Sequence, residues 1–412
     1  MSSVDTPGQA VLIDLSQRVM FSDPFPCYAN LRRNAPVARV RSQQLMRADG
    51  YMLTRYEDVI LLHSDQRFSS DMMKQGNVGL MKHLPRMFRL LTDSMVFKDD
   101  PDHARLRRLV NKAFTPRMIQ SIAESIEEIV DRLLDDLSEH DVVDLVSEFA
   151  TPLPLSVISN MLGVSDDERE KFARLMERFT GGAGSGQIID MIRMMPSARR
   201  LLKMIDSMVE DRRSNPDEFL ISALVQASDG GDQLNKDEIA AMIFLLMLAG
   251  HDTTANLIGS SILALLEHPE QADRLRSDPT LAAPAVEELL RFTTPVPCGV
   301  ARTTMADVEL CGVRIPKGST VLGMIISANR DEAVFDQPEV LDLGREPNRH
   351  IAFAFGKHFC LGNQLARMEG QLAIGSLVRR FPDMELAVSD DQLRYKPTQS
   401  LRGLRSLPLK LK

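Results

Sequence analysis

The stretch that decides the reading is Phe353-Ala354-Phe355-Gly356-Lys357-His358-Phe359-Cys360-Leu361-Gly362. One cysteine is framed by glycines and a histidine, and it stands directly before Leu361 to Arg379, a segment of helical composition. At a helix start the unpaired backbone N–H groups and the helix dipole favour a negative sulfur. Such a position lowers a thiol's pKa and yields a thiolate. A buried, inert cysteine, the usual fate of a free thiol, fits the same ten residues equally well.

Upstream, Asn235 can cap a helix, and Glu238 three residues later completes a capping-box pattern. The helix that starts there is expected to run to about Glu267, longer than an ordinary globular helix, with a nearly all-apolar central face. Polar residues at its middle, in Ala249-Gly250-His251-Asp252-Thr253, therefore call for an explanation. A second short pattern, Glu288-Leu-Leu-Arg291, places an acid and a base three apart on one helical face.

Composition bounds the rest. The 412 residues are 44% hydrophobic and 26% charged, as expected of a globular chain with a sizeable core. With 49 Lys and Arg against 57 Asp and Glu, the net charge is −8 without long like-charge blocks, which argues against a nucleic-acid partner. Cys27, Cys298, Cys311 and Cys360 form no Cys-x-x-Cys pair and no disulfide or zinc spacing, so a reducing cytoplasm fits. The N-terminus lacks the basic start and apolar run of a signal peptide. Helical periodicity dominates Pro116 to Glu287. Strand-like alternation is confined to Val37 to Thr54 and Asp307 to Ile326, the latter reading as a hairpin turned at Pro316-Lys-Gly. The run Gly181 to Gly186 lacks the Lys-Ser/Thr of a phosphate loop and reads as a helix connection.

In order and spacing, the Cys360 segment, the Ala249 to Thr253 segment and the Glu288/Arg291 pair, with His103-Ala-Arg-Leu-Arg107, resemble the cytochrome P450 haem-thiolate enzymes over roughly residues 95 to 410. One departure is Ala354, where that family usually has glycine. The resemblance implies a mainly α fold with small β-sheets, in which haem lies between a long central helix and the cysteine loop. It also implies a single domain over residues 1–412, with a short flexible N-terminus of about ten residues. No N-terminal membrane anchor of the kind many eukaryotic relatives carry is apparent, which points to a soluble, cytoplasmic, monomeric enzyme of bacterial type.

Carried over residue by residue, the resemblance makes Cys360 the ligand of haem b iron, with Phe353 shielding the sulfur and Gly356 and Gly362 admitting the porphyrin. Ala249 contacts the cofactor, Asp252 and Thr253 deliver protons to bound oxygen, and at Gly250, about one turn from Thr253, a local loosening of the helix ladder is expected to open a pocket for O2 and water. His103, Arg107, Arg302 and His358 hold the propionates. Glu288 and Arg291 form a buried structural ion pair. The family's usual third partner is replaced at Val340, which leaves Arg345 as the substitute. Leu245, Leu248, Ala249, Val296, Val300 and Leu401 are the expected substrate-pocket residues. Met72, Met73, Met81, Met87 and Met95, with Met191, Met194 and Met195, form two methionine-rich segments that read equally as adaptable lids or as core.

The activity so implied is insertion of one atom of O2 into a hydrophobic small molecule. The chain has no flavin, nicotinamide or iron-sulfur motif, so electrons are expected from a ferredoxin and its NAD(P)H-dependent reductase. Arg105, Arg108, Lys112 and Lys357 are candidates for that docking patch, or simply a solvated charged face. A peroxide-driven enzyme of the same fold and a non-catalytic haem sensor or ligand-binding protein are the alternatives. Retention of Asp252 and Thr253 disfavours both.

Overall fold

The structure is a computed structural model that describes residues 10–411 except 16, 18, 42–49, 72–85, 115, 182–187, 230, 397 and 399. Met72, Met73 and Met81, nearly all of the expected N-terminal extension and most of the Gly181 to Gly186 run lie outside the described residues. The chain forms two compact units interleaved in sequence. One comprises Met1–Ser69, Leu134–Ala150 and Thr253–Lys412; the other comprises Ser70–Leu133 and Thr151–Asp252.

The first unit is built on a six-stranded sheet. Its strands are β1 (Leu12–Asp14), β2 (Val37–Arg41), β3 (Gly50–Leu53), β4 (Phe68–Ser69), β8 (Arg302–Thr304) and β11 (Thr320–Gly323), in the order β1-β2-β3-β11-β8-β4. Strand β11 pairs parallel with β3, Leu322 opposite Met52 and Gly323 opposite Leu53, and antiparallel with β8. Side chains alternate between two buried faces, as the two-residue period of a strand requires. Val37, Leu53 and Val321 enter one cluster with Val59 and Leu62 of the Tyr56–Ser64 helix, while Ala38, Met52 and Leu322 enter the other with Tyr28 and Leu31. The sheet thereby fixes β8, which carries Arg302, against that helix.

The Asp307 to Ile326 region departs from the expected hairpin. The hairpin is β9 (Val308–Leu310) with β10 (Val313–Ile315), turned at Cys311 and Gly312 with φ of 49° and 76°. Two consecutive positive φ values are what a tight two-residue hairpin turn demands. Beyond Pro316-Lys-Gly318 the chain enters β11 in the larger sheet. Three short strands, β12 (Glu385–Leu386), β13 (Pro408–Lys410) and β5 (Val142–Asp144), form another sheet in this unit.

Among its described residues, the regular structure of the second unit is helical apart from β6 (Ser228–Asp229) and β7 (Asp232–Gln233). Its described elements include the Arg86–Asp93, Asp102–Ala113, Pro152–Leu162 and Ile188–Ser214 helices and the first half of the long helix, Lys236–Glu267. That helix begins where the capping box placed it. Asn235 N–H donates to Glu238 Oε2 at 2.8 Å, and Glu238 N–H donates to Asn235 Oδ1 at 3.0 Å. Among the described residues it is the helix long and apolar enough to cross a membrane, but 61% of its apolar window is buried inside the protein, as in a core helix. The fold is mainly α with small β-sheets, as expected.

Candidate active site

Cys360 ends a loop closed by its own backbone. Its N–H donates to Phe353 O at 3.0 Å, and Phe359 N–H donates to Gly356 O at 3.0 Å. The Asn363–Arg380 helix starts three residues later, and Asn363 Nδ2 donates back to Cys360 O at 2.8 Å. The half-buried thiol thus stands at the helix entrance the sequence suggested. Phe353 is buried and meets Phe359 edge to face, with ring centroids 6.3 Å apart. Gly356 has φ +71°, and a Cβ there would lie 3.2 Å from the His63 carbonyl oxygen, so the turn needs glycine on both counts. Ala354 adopts φ +60° without being glycine.

Behind the loop, Glu288 and Arg291 are both fully buried and joined by two hydrogen bonds of 2.7 and 2.8 Å. Arg345 is a further partner, with Nε 3.0 Å from Glu288 Oε1, and Asn348 Nδ2 adds a bond of 3.2 Å to Oε2. The Val340 side chain is exposed, yet its carbonyl accepts from Arg291 Nη2 at 3.2 Å and from Arg345 Nη2 at 2.9 Å. A second network was not anticipated. Glu287 accepts from Arg367 Nε at 2.6 Å and bonds His350 Nε2 at 2.9 Å, while the Arg367 guanidinium covers the Phe353 ring at 4.5 Å. Burial alone would raise the Glu287 pKa, but the bonds from His350 and Arg367 prevail and bring it down to about 2.

The expected propionate partners fall into two sets. In the first unit, Arg302 is buried with Nη2 3.3 Å from His63 Nδ1, and His358 is half-buried on the cysteine loop. In the second, His103 and Arg107 lie one turn apart on the Asp102–Ala113 helix, His103 buried with Nδ1 3.7 Å from Asp100 Oδ1.

The long helix is α-helical throughout, so the expected loosening at Gly250 is absent. Gly250 instead admits a neighbour: a Cβ there would lie 2.6 Å from Ile158 Cδ1. Every residue from Ile239 to Phe244 is buried, whereas Leu245, Leu248, Asp252 and Thr253 are half-buried and Ala249 is exposed. Positions 245, 248/249 and 252 recur at helical spacing, so one face of a core helix opens at its centre. Asp252 Oδ1 lies 3.7 Å from His251 Nδ1. Next to this pair, Thr254 donates a side-chain hydrogen bond to Glu369, which is buried enough to hold its carboxyl pKa up near about 8. Sequence reasoning passed over Glu369 because an acid nine residues after Cys360 looks like helix surface.

Val296, Val300 and Leu401 are half-buried. Leu401 lines a small cleft of about 60 Å³ in the first unit together with Pro297, Cys298, Tyr28 and Met324. Met95 and Met194 are buried, which makes them core rather than lid. Arg105 is ion-paired with Glu238 at 3.0 Å and with Asp232 at 3.0 Å within its own unit.

These residues fit the haem the resemblance implies. Phe355 and Phe359 expose 42% and 38% of their surface beside Cys360, apolar rings that a flat macrocycle can cover. Nothing lies within 4 Å of a Cβ at Gly362. His63 Nε2, buried beside Arg302, finds no hydrogen-bond partner among the described residues, as a site built for an outside acceptor would leave it.

The likeness to known proteins agrees. A family model described as cytochrome P450 matches residues 51–412. The polyketide biosynthesis cytochrome P450 PksS of Bacillus subtilis is 38% identical over 94% of this chain and 96% of its own. Its solved structure superposes with a TM-score of 0.89, covering 96% of this chain and 99% of that one. The vitamin D(3) 25-hydroxylase of Pseudonocardia autotrophica is 38% identical over 96% of each chain. The structure of CYP109E1 from Bacillus megaterium in complex with testosterone, 31% identical, covers 95% of this chain and 99% of that chain with a TM-score of 0.83. Beside the geometry of the cysteine loop, a family model over most of the chain and relatives 38% identical along nearly their whole length place the chain in the cytochrome P450 family, as a haem-dependent oxidoreductase of the monooxygenase class.

Proposed function

We propose that the protein hydroxylates or epoxidises a bulky hydrophobic small molecule in the bacterial cytoplasm, as a monomer using haem b. Electrons come from a separate ferredoxin and its NAD(P)H-dependent reductase. The observation that carries this reading is the Cys360 loop, whose 3.0 Å closure onto Phe353 holds the sulfur at a helix entrance. Thiolate-ligated haem, when bound, supplies reductive activation of O2 and transfer of one oxygen atom to carbon.

The chain's own residues do the rest. Cys360 donates electron density from sulfur, and Phe353 and Phe359 keep water from it. Arg302, His358, His103 and Arg107 supply positive charge and donors for the two carboxylates of the cofactor. Asp252 takes protons from solvent, to which its side chain is 21% open, and Thr253 beside it holds a proton at the hydroxyl. Leu245, Leu248 and Ala249 offer an apolar wall on the open helix face, and Val296, Val300 and Leu401 offer apolar surface in the first unit. No fixed charge marks a polar anchor among these six, which supports an apolar substrate.

The test is an optical titration of the purified ferric protein with steroids, secosteroids, polyketides, fatty acids and terpenoids. The names of relatives put the first three classes foremost. A Soret shift to high spin with one class, followed by oxygenated product with surrogate ferredoxin, reductase and NADPH, supports the proposal. A haem-loaded protein without a thiolate-type spectrum overturns it.

A further inference from the structure

His63 sits in the last turn of the Tyr56–Ser64 helix, 8% exposed. Its Nδ1 lies 3.3 Å from Arg302 Nη2. A guanidinium only donates, so Nδ1 carries the lone pair and the ring proton belongs on Nε2. Burial, then the charge of Arg302, push the imidazole down to about 4, so the ring is neutral at physiological pH. Among the described residues no acceptor meets Nε2. A buried N–H without an acceptor is costly, and a site that retains one is built for an acceptor from outside the chain.

Two glycines show where that acceptor enters. At Gly299, three residues before Arg302, a Cβ would lie 3.1 Å from His63 Nε2 and 2.9 Å from Cε1. At Gly356, on the cysteine loop, a Cβ would crowd the His63 carbonyl oxygen at 3.2 Å. His63 thus borders both the strand segment that carries Arg302 and the loop that carries Cys360. An acceptor that binds beside a buried arginine, against backbone stripped of side chains, is an anion, and haem brings carboxylates.

We infer that His63 is a further cofactor-anchoring residue, donating from Nε2 to the haem propionate that Arg302 neutralises and orienting Arg302 through Nδ1. This rests on the proposal that Cys360 holds haem.

The test follows haem transfer from the holoprotein to excess apomyoglobin, for the parent, His63→Leu and His63→Gln, each loaded with protohaem or with its dimethyl ester. With protohaem, His63→Leu releases haem about tenfold faster, as loss of a hydrogen bond to a charged group predicts. The amide N–H of His63→Gln keeps the rate within about threefold of the parent. With the ester, which has no carboxylate, the three proteins release haem alike. Equal rates for parent and His63→Leu with protohaem, or an acceleration that persists undiminished with the ester, would overturn the assignment and leave a packing role. A parent that takes up no haem would overturn the haem proposal and this inference together, an outcome distinct from either.

Discussion

Arg345 Nε lies 3.0 Å from Glu288 Oε1 although the two residues are 57 apart in the chain, and Glu288 is already held by Arg291 at 2.7 Å. One fully buried carboxylate therefore bonds two guanidiniums, and through their bonds to the Asp336, Pro338 and Val340 carbonyls it fastens the segment leading to the cysteine loop. Glu288→Gln leaves both cations without a countercharge, one of them wholly buried. The expected loss is about 3–5 kcal/mol of stability, read from urea unfolding. Arg345→Leu leaves the Glu288–Arg291 pair intact and costs less, about 1–2 kcal/mol. Equal losses would show that the pair does not survive alone.

Ala354 holds φ +60° in the turn between Ile351 and Gly356, with its N–H bonded to Ile351 O at 2.9 Å. An L-residue pays roughly 1–2 kcal/mol for this conformation. Part of that relief is offset by the greater freedom of glycine in the unfolded chain. Ala354→Gly is thus expected to raise stability by about 0.5–1 kcal/mol without changing the haem spectrum, measured by thermal unfolding. A lower melting temperature would mean that the methyl group packs well enough to outweigh the backbone strain.

Glu369 carries its carboxyl pKa at about 8 because burial disfavours the ionised form, with Thr254 only partly countering. Its ordinary value is 4.5, so the unfolded chain loses the proton first. Between pH 4.5 and 8 the native state binds the extra proton, and stability falls as pH rises through that window. The group's contribution is full below pH 4.5 and declines by up to about 3 kcal/mol by pH 7. Glu369→Gln removes this slope and is more stable than the parent at pH 7. A parent profile that is flat across the window, parallel to the variant's, would show that Glu369 ionises normally.

What could be read in advance was what short spacing encodes. Asn235 and Glu238 announced the long helix because a capping box is complete within four residues, and Glu288 and Arg291 announced their pair because i and i+3 share a helix face. What escaped depends on partners far along the chain. Pro316-Lys-Gly318 has local turn chemistry that suits a hairpin, yet β11 belongs beside β3, whose residues stand about 270 positions earlier, and nothing local encodes that register. His63 carries no local signal of a role, since its partner Arg302 lies 239 residues away. Gly250 suggests a local loosening of the helix ladder because nothing in the sequence shows that Ile158 packs against it. Likewise nothing near Arg105 in the sequence shows that Asp232 and Glu238 are its ion-pair partners.

Asp252 and Thr253 are consecutive and half-buried on a helix whose preceding turns, Ile239 to Phe244, are sealed from solvent. Under the proposed function, proton transfer gives this acid and this hydroxyl their role at the open part of the helix. Thr253→Ala is expected to keep haem content and the thiolate-type spectrum while diverting electrons to hydrogen peroxide. Product formed per NADPH falls about tenfold or more, the lower range for removal of a positioned proton-transfer group. Asp252→Asn slows NADPH consumption itself, because it removes the group that takes protons from solvent rather than the one that holds them. The measurement is NADPH, peroxide and product followed together with the substrate that gives the largest spin shift. Normal coupling in Thr253→Ala would take proton delivery away from this pair and turn attention to Thr254, next along the same helix, and to Glu369 of the Asn363–Arg380 helix, to which Thr254 donates.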